Sequence, residues 1–502
     1  MKTDVLIIGA GGAGLMAAIA AKEEGVDVLV LTKEYPTRSQ TCMAQGGMNA
    51  ALGNAGQDSI EDHIQNTLKS AHGEADEEAV RFMCCEAPNA IEYLNNIGVC
   101  FSRTKDGKIA QRRLGGASAP RACYAQDYTG LKILHTLYDR CNELGIKFVN
   151  DTFLLELLKD ENDNACGTKV LDIRTGEIKT YIAKSVVLAT GGYSRIYDKF
   201  STNSKASSGD GIAAALRIGA ELKHMEFVQF HPTGLKNSSI LISESARGEG
   251  GYLLNSQGER FTNELAPRDE VSRAIDAEIK KGEDIFLDIR HLGEQFIDEG
   301  LPQERKLAKL YENVDPVYDL IPIKPVAHYT MGGVAVDHNS QTTVSGLFAC
   351  GECANHNVHG GNRLGGNSLL EIVVFGREAG RNAAKHSQQI EHLSVPAHSE
   401  CFLDQEFKNT VNFYKYKEKL GNLLYNKVGI VRKTSELKSA LEEIEMIKSL
   451  LPDMGWSDTL EIYNTNKQEF LEFRNILQIS EIVVKSALER AESCGAHYME
   501  AE

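Results

Sequence analysis

The chain has 502 residues, more than a single hydrophobic core usually serves, and 42% of them are hydrophobic, so two or three structural units can be built. A formal net charge of −16 argues against a broad nucleic-acid surface, and no run of about 20 apolar residues offers a membrane span. Met1-Lys-Thr-Asp4 leads straight into an apolar run without an export signal, which makes the cytoplasm the default compartment; eleven cysteines without regular spacing fit reduced thiols better than a disulfide framework.

Taken in chain order, Asp4 to Ile8 reads as a strand, Ala13 to Glu24 as a helix and Asp27 to Leu31 as a second strand. Between the first two lies Gly9-Ala-Gly11-Gly12-Ala-Gly14. Its first glycine permits a tight turn, Gly11 lets backbone approach a pyrophosphate, and Gly14 lets helix and strand pack closely, while the helix start offers free N–H groups and a positive dipole end. The motif predicts a dinucleotide and does not separate FAD from NAD. After the second strand, Thr32-Lys33-Glu34 lacks a clear ribose-binding acid, and Glu34 is expected to be a solvated turn residue.

Ser185 to Gly192, with Thr190 and Gly191, and Ser345 to Glu352 read as further strands entering glycine turns, so pieces of one nucleotide-binding unit lie far apart in sequence. Roughly Phe230 to His338 is long enough for an inserted domain. From about Cys401 glycine becomes sparse and apolar residues recur at helical spacing, as in Leu437, Leu441, Ile444 and Ile447, which predicts a helical bundle.

Two histidines and two arginines sit in four segments: His231-Pro-Thr-Gly, Ala266-Pro-Arg268-Asp, His328-Tyr-Thr-Met-Gly-Gly and His359-Gly-Gly-Asn-Arg363-Leu-Gly-Gly-Asn-Ser368-Leu369. Together they supply cations and donors for a small dianion, and the planar arginine fork suits bidentate carboxylate binding.

Read with the glycine fingerprint, these segments carry a resemblance to the flavoprotein subunits of succinate dehydrogenases and fumarate reductases, running from the first strand to Glu492-Ser-Cys-Gly-Ala-His497. It implies an α/β architecture: a Rossmann-like FAD-binding domain in two parts, 1–230 and 340–400, an inserted α+β capping domain at 231–339, and a C-terminal helical domain at 401–502. It implies FAD on Gly9, Gly11, Gly12 and Gly14, on Thr32, Lys33, Ser39, Gln40, Thr41, Gln45, Gly46 and Gly47, on Thr190, Gly191 and Asp210, and on Glu352, Ser368 and Leu369, with no metal. From the residues alone, Asp210 has a second reading as the cap of a helix beginning at Gly211. The resemblance makes Cys350-Gly-Glu-Cys353 the flank of a flavin-contacting glutamate rather than a redox dithiol. It further implies that His231, Ser243, His328 and Arg363 hold the carboxylates of fumarate or succinate, that a hydride passes to the double bond from FAD, and that Arg268 delivers the proton through a relay of Glu244 and Arg247. A guanidinium pKa above about 12 makes such a transfer depend on rapid reprotonation, so a purely electrostatic role for Arg268, with Glu244 as its partner, stays open.

The chain departs from the family pattern in places. Where the complex-forming members read Arg-Ser-His-Thr and bond the histidine to FAD, this chain reads Arg38-Ser39-Gln40-Thr41. A glutamine amide cannot form that linkage, so FAD is expected to be non-covalent. The linkage raises the flavin potential, and losing about 100 mV corresponds to about 4.6 kcal/mol for a two-electron couple, a bias towards fumarate reduction. Leu114, in Gln111-Arg-Arg-Leu114-Gly-Gly116, stands where relatives have phenylalanine. No cysteine series for a cluster is evident, so the resemblance implies an iron–sulfur subunit and, through it, further electron-transfer subunits. That would place the chain in the cytoplasm or peripherally at the inner face of the membrane. L-Aspartate oxidase shares the implied fold and fits Gln40, whereas Arg113-Leu-Gly-Gly-Ala-Ser118 and Arg121-Ala-Cys-Tyr-Ala-Gln-Asp127-Tyr-Thr-Gly130 favour the succinate/fumarate branch. A third reading, a non-catalytic flavin electron-transfer subunit, predicts erosion of the charged set, yet His231, Arg268, His328 and Arg363 are all present.

Overall fold

A computed structural model describes residues 2–393, 403 and 407–501 of the chain, so the expected boundary at 400/401 lies outside the described residues. A seven-stranded sheet forms its centre. The strand Lys2–Ile8 runs parallel to Val28–Leu31 on one side and to Ile178–Leu188 on the other, and Lys147–Val149 extends the sheet beyond Val28–Leu31. Ile178–Leu188 spans two roles: its first half pairs antiparallel with Ala165–Asp172, and its end pairs parallel with Leu347–Ala349. Two segments nearly 160 positions apart are thus joined on one strand, which is how a split sequence builds one nucleotide-binding sheet.

Helix Gly12–Glu23 follows the first strand and lies against Asn367–Gln388. Their contact is built on small residues: a side chain on Gly380 would come within 2.1 Å of Ala17 O, and one on Gly376 within 2.8 Å of Ala13 O. Close packing brings both helix N-termini to the same edge of the sheet, where unpaired N–H groups and the positive dipole ends face one cavity.

A second, four-stranded antiparallel sheet joins Val228–Leu235, Ile321–Thr330, Ile285–Asp288 and Tyr252–Leu254. With helix Arg268–Lys280 it encloses its own apolar cluster, including Leu253, Val271, Ile275, Leu287 and Ile323. The last strand leaves that cluster partway along, because Ala327 joins the main one.

The C-terminal part is helical over Phe413–Lys427, Thr434–Ser449 and Thr465–Glu489. Leu437, Ile444 and Ile447 are buried on one face of the middle helix, and Leu441 packs at its margin. These side chains share a cluster with Leu6, Leu29 and Val186 of the main sheet, and the helices pack on Ser194–Phe200 and Asp210–Arg217, so they extend the main core instead of forming a separate one. No helix among the described residues is long and apolar enough to cross a membrane.

Candidate active site

One cavity runs from the glycine turn of the first strand to the four-stranded sheet. At its glycine end the three fingerprint positions differ in what they require. A side chain on Gly9, whose φ is +109°, would lie 2.1 Å from Ala189 O, and one on Gly14 would lie 2.0 Å from Gly9 O. Both are forced by packing. Gly11 is not: an added Cβ would meet nothing nearer than 3.6 Å, so its missing side chain leaves room in the cavity instead. Of the helix's first N–H groups, that of Gly12 donates to Thr41 Oγ1 at 3.0 Å.

Several buried polar atoms around this end have no protein partner: Ser39 Oγ, both amide atoms of Gln45, and Asn203 Nδ2. Buried groups of this kind are costly unless a ligand or water satisfies them. An open glycine cradle, two helix N-termini and unpartnered donors and acceptors fit a large dinucleotide such as FAD. Thr32, Lys33, Gln40, Gly46, Gly47, Thr190, Gly191, Asp210, Glu352, Ser368 and Leu369 line the same cavity. Gln40 Oε1 accepts the Ser204 N–H at 2.7 Å, which anchors the amide. Glu352 Oε1 accepts from Thr330 N and Oγ1 at 2.9 and 3.1 Å, and burial pushes its carboxyl up to about 7.

Three details differ from the expectations. Gly14 does not line the cavity and serves helix packing. Glu34 is half-buried on the cavity wall, not a solvated turn residue, because the chain bends there over the sheet edge; burial raises its pKa. Asp210 does not cap its helix: Gly209 occupies the cap at φ +75°, and the carboxylate instead accepts from Lys33, Ser208 and Asn475. Cys350 and Cys353 are buried, and burial pushes the Cys353 thiol up to about 11 and that of Cys350 well above its usual range, which suits packing thiols better than a redox pair.

At the other end, the strand pair carrying the histidines is irregular. Gln229 pairs with Tyr329 but Phe230 pairs with Ala327, so His328 is the extra residue of a β-bulge, and a second shift follows His231. Bulges re-aim side chains, and here the two imidazoles come to 4.9 Å between ring centres. His231 Nδ1 accepts the Thr233 N–H at 3.2 Å, so the neutral ring carries its proton on Nε2. Burial, reinforced by Arg268 and the neighbouring histidine or Arg363, holds both imidazoles well below their usual pKa.

Arg268 opens the cap helix Arg268–Lys280, and its Nε donates to Glu244 Oε2 at 3.0 Å. The other oxygen of Glu244 accepts Gly115 N–H at 3.0 Å and lies 3.7 Å from Arg247 Nη2. Glu244 thus bridges the two arginines. Burial opposes its ionisation, but Arg268 and Arg247 outweigh that and hold the carboxyl below its usual range. Arg247 does not line the cavity; it stands behind Glu244, fully buried. Arg363 lies over the Tyr329 ring at 4.2 Å, and burial brings its guanidinium down to about 10. Arg268 and Arg363 line the chamber and Arg247 backs Glu244, so its walls are cationic, the complement of an anionic ligand.

Gln229 was not singled out from sequence. Its Oε1 accepts from Arg268 Nη1 at 3.0 Å and Arg363 Nη2 at 3.1 Å, and its Nε2 donates to Arg363 O at 2.8 Å. The signal was available: it sits two residues before His231 on the same strand, hence on the same face. Ser243 lines the cavity at the start of the short helix Glu244–Gly248, and Leu114 lines it beside Gly46.

A split parallel sheet, a glycine cradle and a capped cationic chamber define a flavoprotein class. Residues 4–369 match the family model described as FAD binding domain, and residues 417–501 match that of the fumarate reductase flavoprotein C-terminus. Similar proteins include the 8-methylmenaquinol:fumarate reductase flavoprotein subunit of Wolinella succinogenes, 40% identical over 99% of this chain and 85% of that protein. The succinate dehydrogenase flavoprotein subunit of Rickettsia bellii is 39% identical over 99% and 90%. Among solved structures, an E. coli quinol fumarate reductase FrdA mutant superposes with a TM-score of 0.93 at 34% identity, covering 100% of this chain and 92% of the other. The chain belongs to the succinate dehydrogenase/fumarate reductase flavoprotein family, as a FAD-dependent catalytic subunit.

Proposed function

We propose that the chain interconverts fumarate and succinate on non-covalent FAD, with a bias towards fumarate reduction. The observation that carries this reading is the positive charge of Arg268 and Arg363, which line the same cavity as the glycine cradle, with Arg247 behind Glu244. FAD held by Gly11, Gly12, Thr41, Gln45, Asp210, Glu352 and Ser368 supplies two-electron chemistry. His231, Ser243, His328 and Arg363 bind the two carboxylates and hold the alkene in a reactive position, which removes much of the entropic barrier. Arg268 holds the proton bound for the second carbon. Glu244, an ionised carboxylate in contact with both Arg268 and Arg247, is placed to take a proton from Arg247 and pass it to Arg268, so guanidine can serve as donor without accumulating deprotonated.

Gln40 supports non-covalent attachment, since its amide is engaged with Ser204 and has no nucleophilic nitrogen to offer. Loss of the covalent link favours the reductive direction. Electrons arrive through an iron–sulfur subunit and further electron-transfer subunits, and the chain works in the cytoplasm or at the inner face of the membrane through them. The names of its relatives, subunits of quinol- and succinate-linked enzymes, support this assembly.

The test is fumarate-dependent oxidation of reduced viologen by the FAD-loaded protein, with acid precipitation to release flavin. Arg268→Ala is expected to lower turnover by about 10²- to 10⁴-fold with flavin still bound and acid-releasable. Absence of wild-type turnover at full flavin occupancy would overturn the reading, and L-aspartate oxidation would be assayed next.

A further inference from the structure

The long C-terminal helix Thr465–Glu489 buries a mostly apolar face: Phe470, Phe473, Ile476 and Leu477 lie in the main cluster. Among the buried polar residues that interrupt that face are Glu472 and Asn475, three positions apart and therefore neighbours on the helix surface. A glutamate and an asparagine in such a place cost stability unless they are paired. Neither lines the cavity.

Their partners do. Lys33 Nζ donates to Glu472 Oε1 at 3.0 Å, to Asp210 Oδ2 at 2.7 Å, to Ser208 Oγ at 3.0 Å and to Ala206 O at 3.1 Å. Asn475 Nδ2 donates to the other oxygen of Asp210 at 2.8 Å, and Asn475 Oδ1 accepts from Arg217 at 3.0 Å. Both oxygens of Asp210 are thus held, one by a lysine pinned between two carboxylates and one by an amide pinned by an arginine. Burial opposes the charge on Lys33, but Asp210 and Glu472 outweigh it.

We propose that Glu472 and Asn475 are positioning residues of the cofactor site: they orient the Lys33–Asp210 pair, so flavin retention depends on the C-terminal helix. The inference rests on the reading of Asp210 as a FAD contact. Glu472 fixes the lysine, the lysine and Asn475 fix the carboxylate, and the carboxylate meets the cofactor. A buried network of this kind acts as a unit, and loss of one member leaves the others misoriented.

Isosteric variants test this in the full-length, FAD-loaded protein. Glu472→Gln removes the charge opposite Lys33, and Asn475→Asp turns the donor facing Asp210 into an acceptor, with little change in volume. The readout is the rate of flavin release on dilution, followed by recovery of flavin fluorescence well below the unfolding temperature. Asp210→Asn serves as the direct comparison. Glu469→Gln, on an exposed side of the same helix against Tyr414, is the control. Release about tenfold faster than wild type is expected for Glu472→Gln, the effect of one lost charge-assisted hydrogen bond, and more for Asn475→Asp, with the Glu469 variant unchanged. If Asp210→Asn accelerates release while Glu472→Gln and Asn475→Asp match wild type, the positioning role is overturned and the FAD contact stands. If release from Asp210→Asn also matches wild type, both are overturned. A lower unfolding temperature with unchanged release below it would make the two residues purely structural and overturn the inference as well.

Discussion

At the glycine end of the cavity the protein offers backbone and unsatisfied amides: Gly11 leaves open space, and Gln45 has no hydrogen bond from its side chain. Under the cap the arrangement is reversed. Arg268 and Arg363 share Gln229, Glu244 bridges Arg268 and Arg247, and His231 is fixed by Thr233. The first region is incomplete without a partner that supplies many hydrogen bonds; the second is cross-linked through Glu244 and Gln229, with Arg363 Nε and Arg247 Nε and Nη2 left without hydrogen-bond partners. The difference teaches that one end is built to hold a group permanently and the other to admit and release a small dianion.

The comparison can be broken most sharply at Glu244. In Glu244→Gln, Arg268 and Arg247 lose their shared anion, so turnover is expected to fall by about 10²- to 10³-fold while flavin content stays at the wild-type level. Parallel loss of flavin would show that the two ends are not separable.

A glycine pair gives the next largest effect. Gly11→Ala is expected to fold, since its Cβ meets nothing nearer than 3.6 Å, and to emerge from purification depleted in FAD. Gly14→Ala, with its Cβ 2.0 Å from Gly9 O, is expected to be insoluble or strongly destabilised. Equal flavin content in wild type and Gly11→Ala, measured by absorbance, would remove the argument for a cofactor cradle.

The histidines give a moderate, graded effect. Both are neutral in the free chamber, and a dianion beside them raises their pKa, so ligand binding takes up protons. Affinity for succinate or malonate should therefore strengthen as pH falls, by no more than about tenfold per unit for each histidine, within the range where the ligand stays a dianion. Calorimetry in buffers of different ionisation enthalpy would detect the proton uptake, and none at any pH would contradict the geometry.

Glu352 gives the smallest effect. Its folded-state pKa of about 7 lies above the ordinary 4.5, so the folded state binds the extra proton between those values and stability declines as pH rises through that window. Glu352→Gln should flatten that decline in thermal melts, with little change at the acid end.

Much of the cofactor end was legible in the sequence. Gly9, Gly11 and Gly14 announce a backbone path that other residues cannot follow, and such a constraint is local. The separate roles of the three glycines were also readable, although Gly14 proved to face away from the cavity. At the cap end the charged residues were legible as candidates and the resemblance implied the Arg268–Glu244–Arg247 relay, but the link of Arg268 to Arg363 through Gln229 was not legible. Gln229 was marked only by its place two residues before His231, and the bulge at His328 breaks the alternation from which facing across the strand pair would be inferred. Glu34 was misjudged in part because Glu472 of the C-terminal helix, more than 250 positions away, lies near it, and the same helix holds Asp210 through Asn475.

The sequence by itself set out a dinucleotide cradle and a cationic set of residues, because glycine spacing, strand patterning and charge follow from short-range rules, and resemblance to a family supplied the class. Only the tertiary structure decided which further groups meet: that Gln229 joins Arg268 to Arg363, and that Lys33 and Asp210 are held from the C-terminal helix. The physical reason is that a backbone constraint acts on neighbours in the chain. An ion pair or a buried hydrogen bond acts over a few ångströms of space, and folding alone determines which residues share that space.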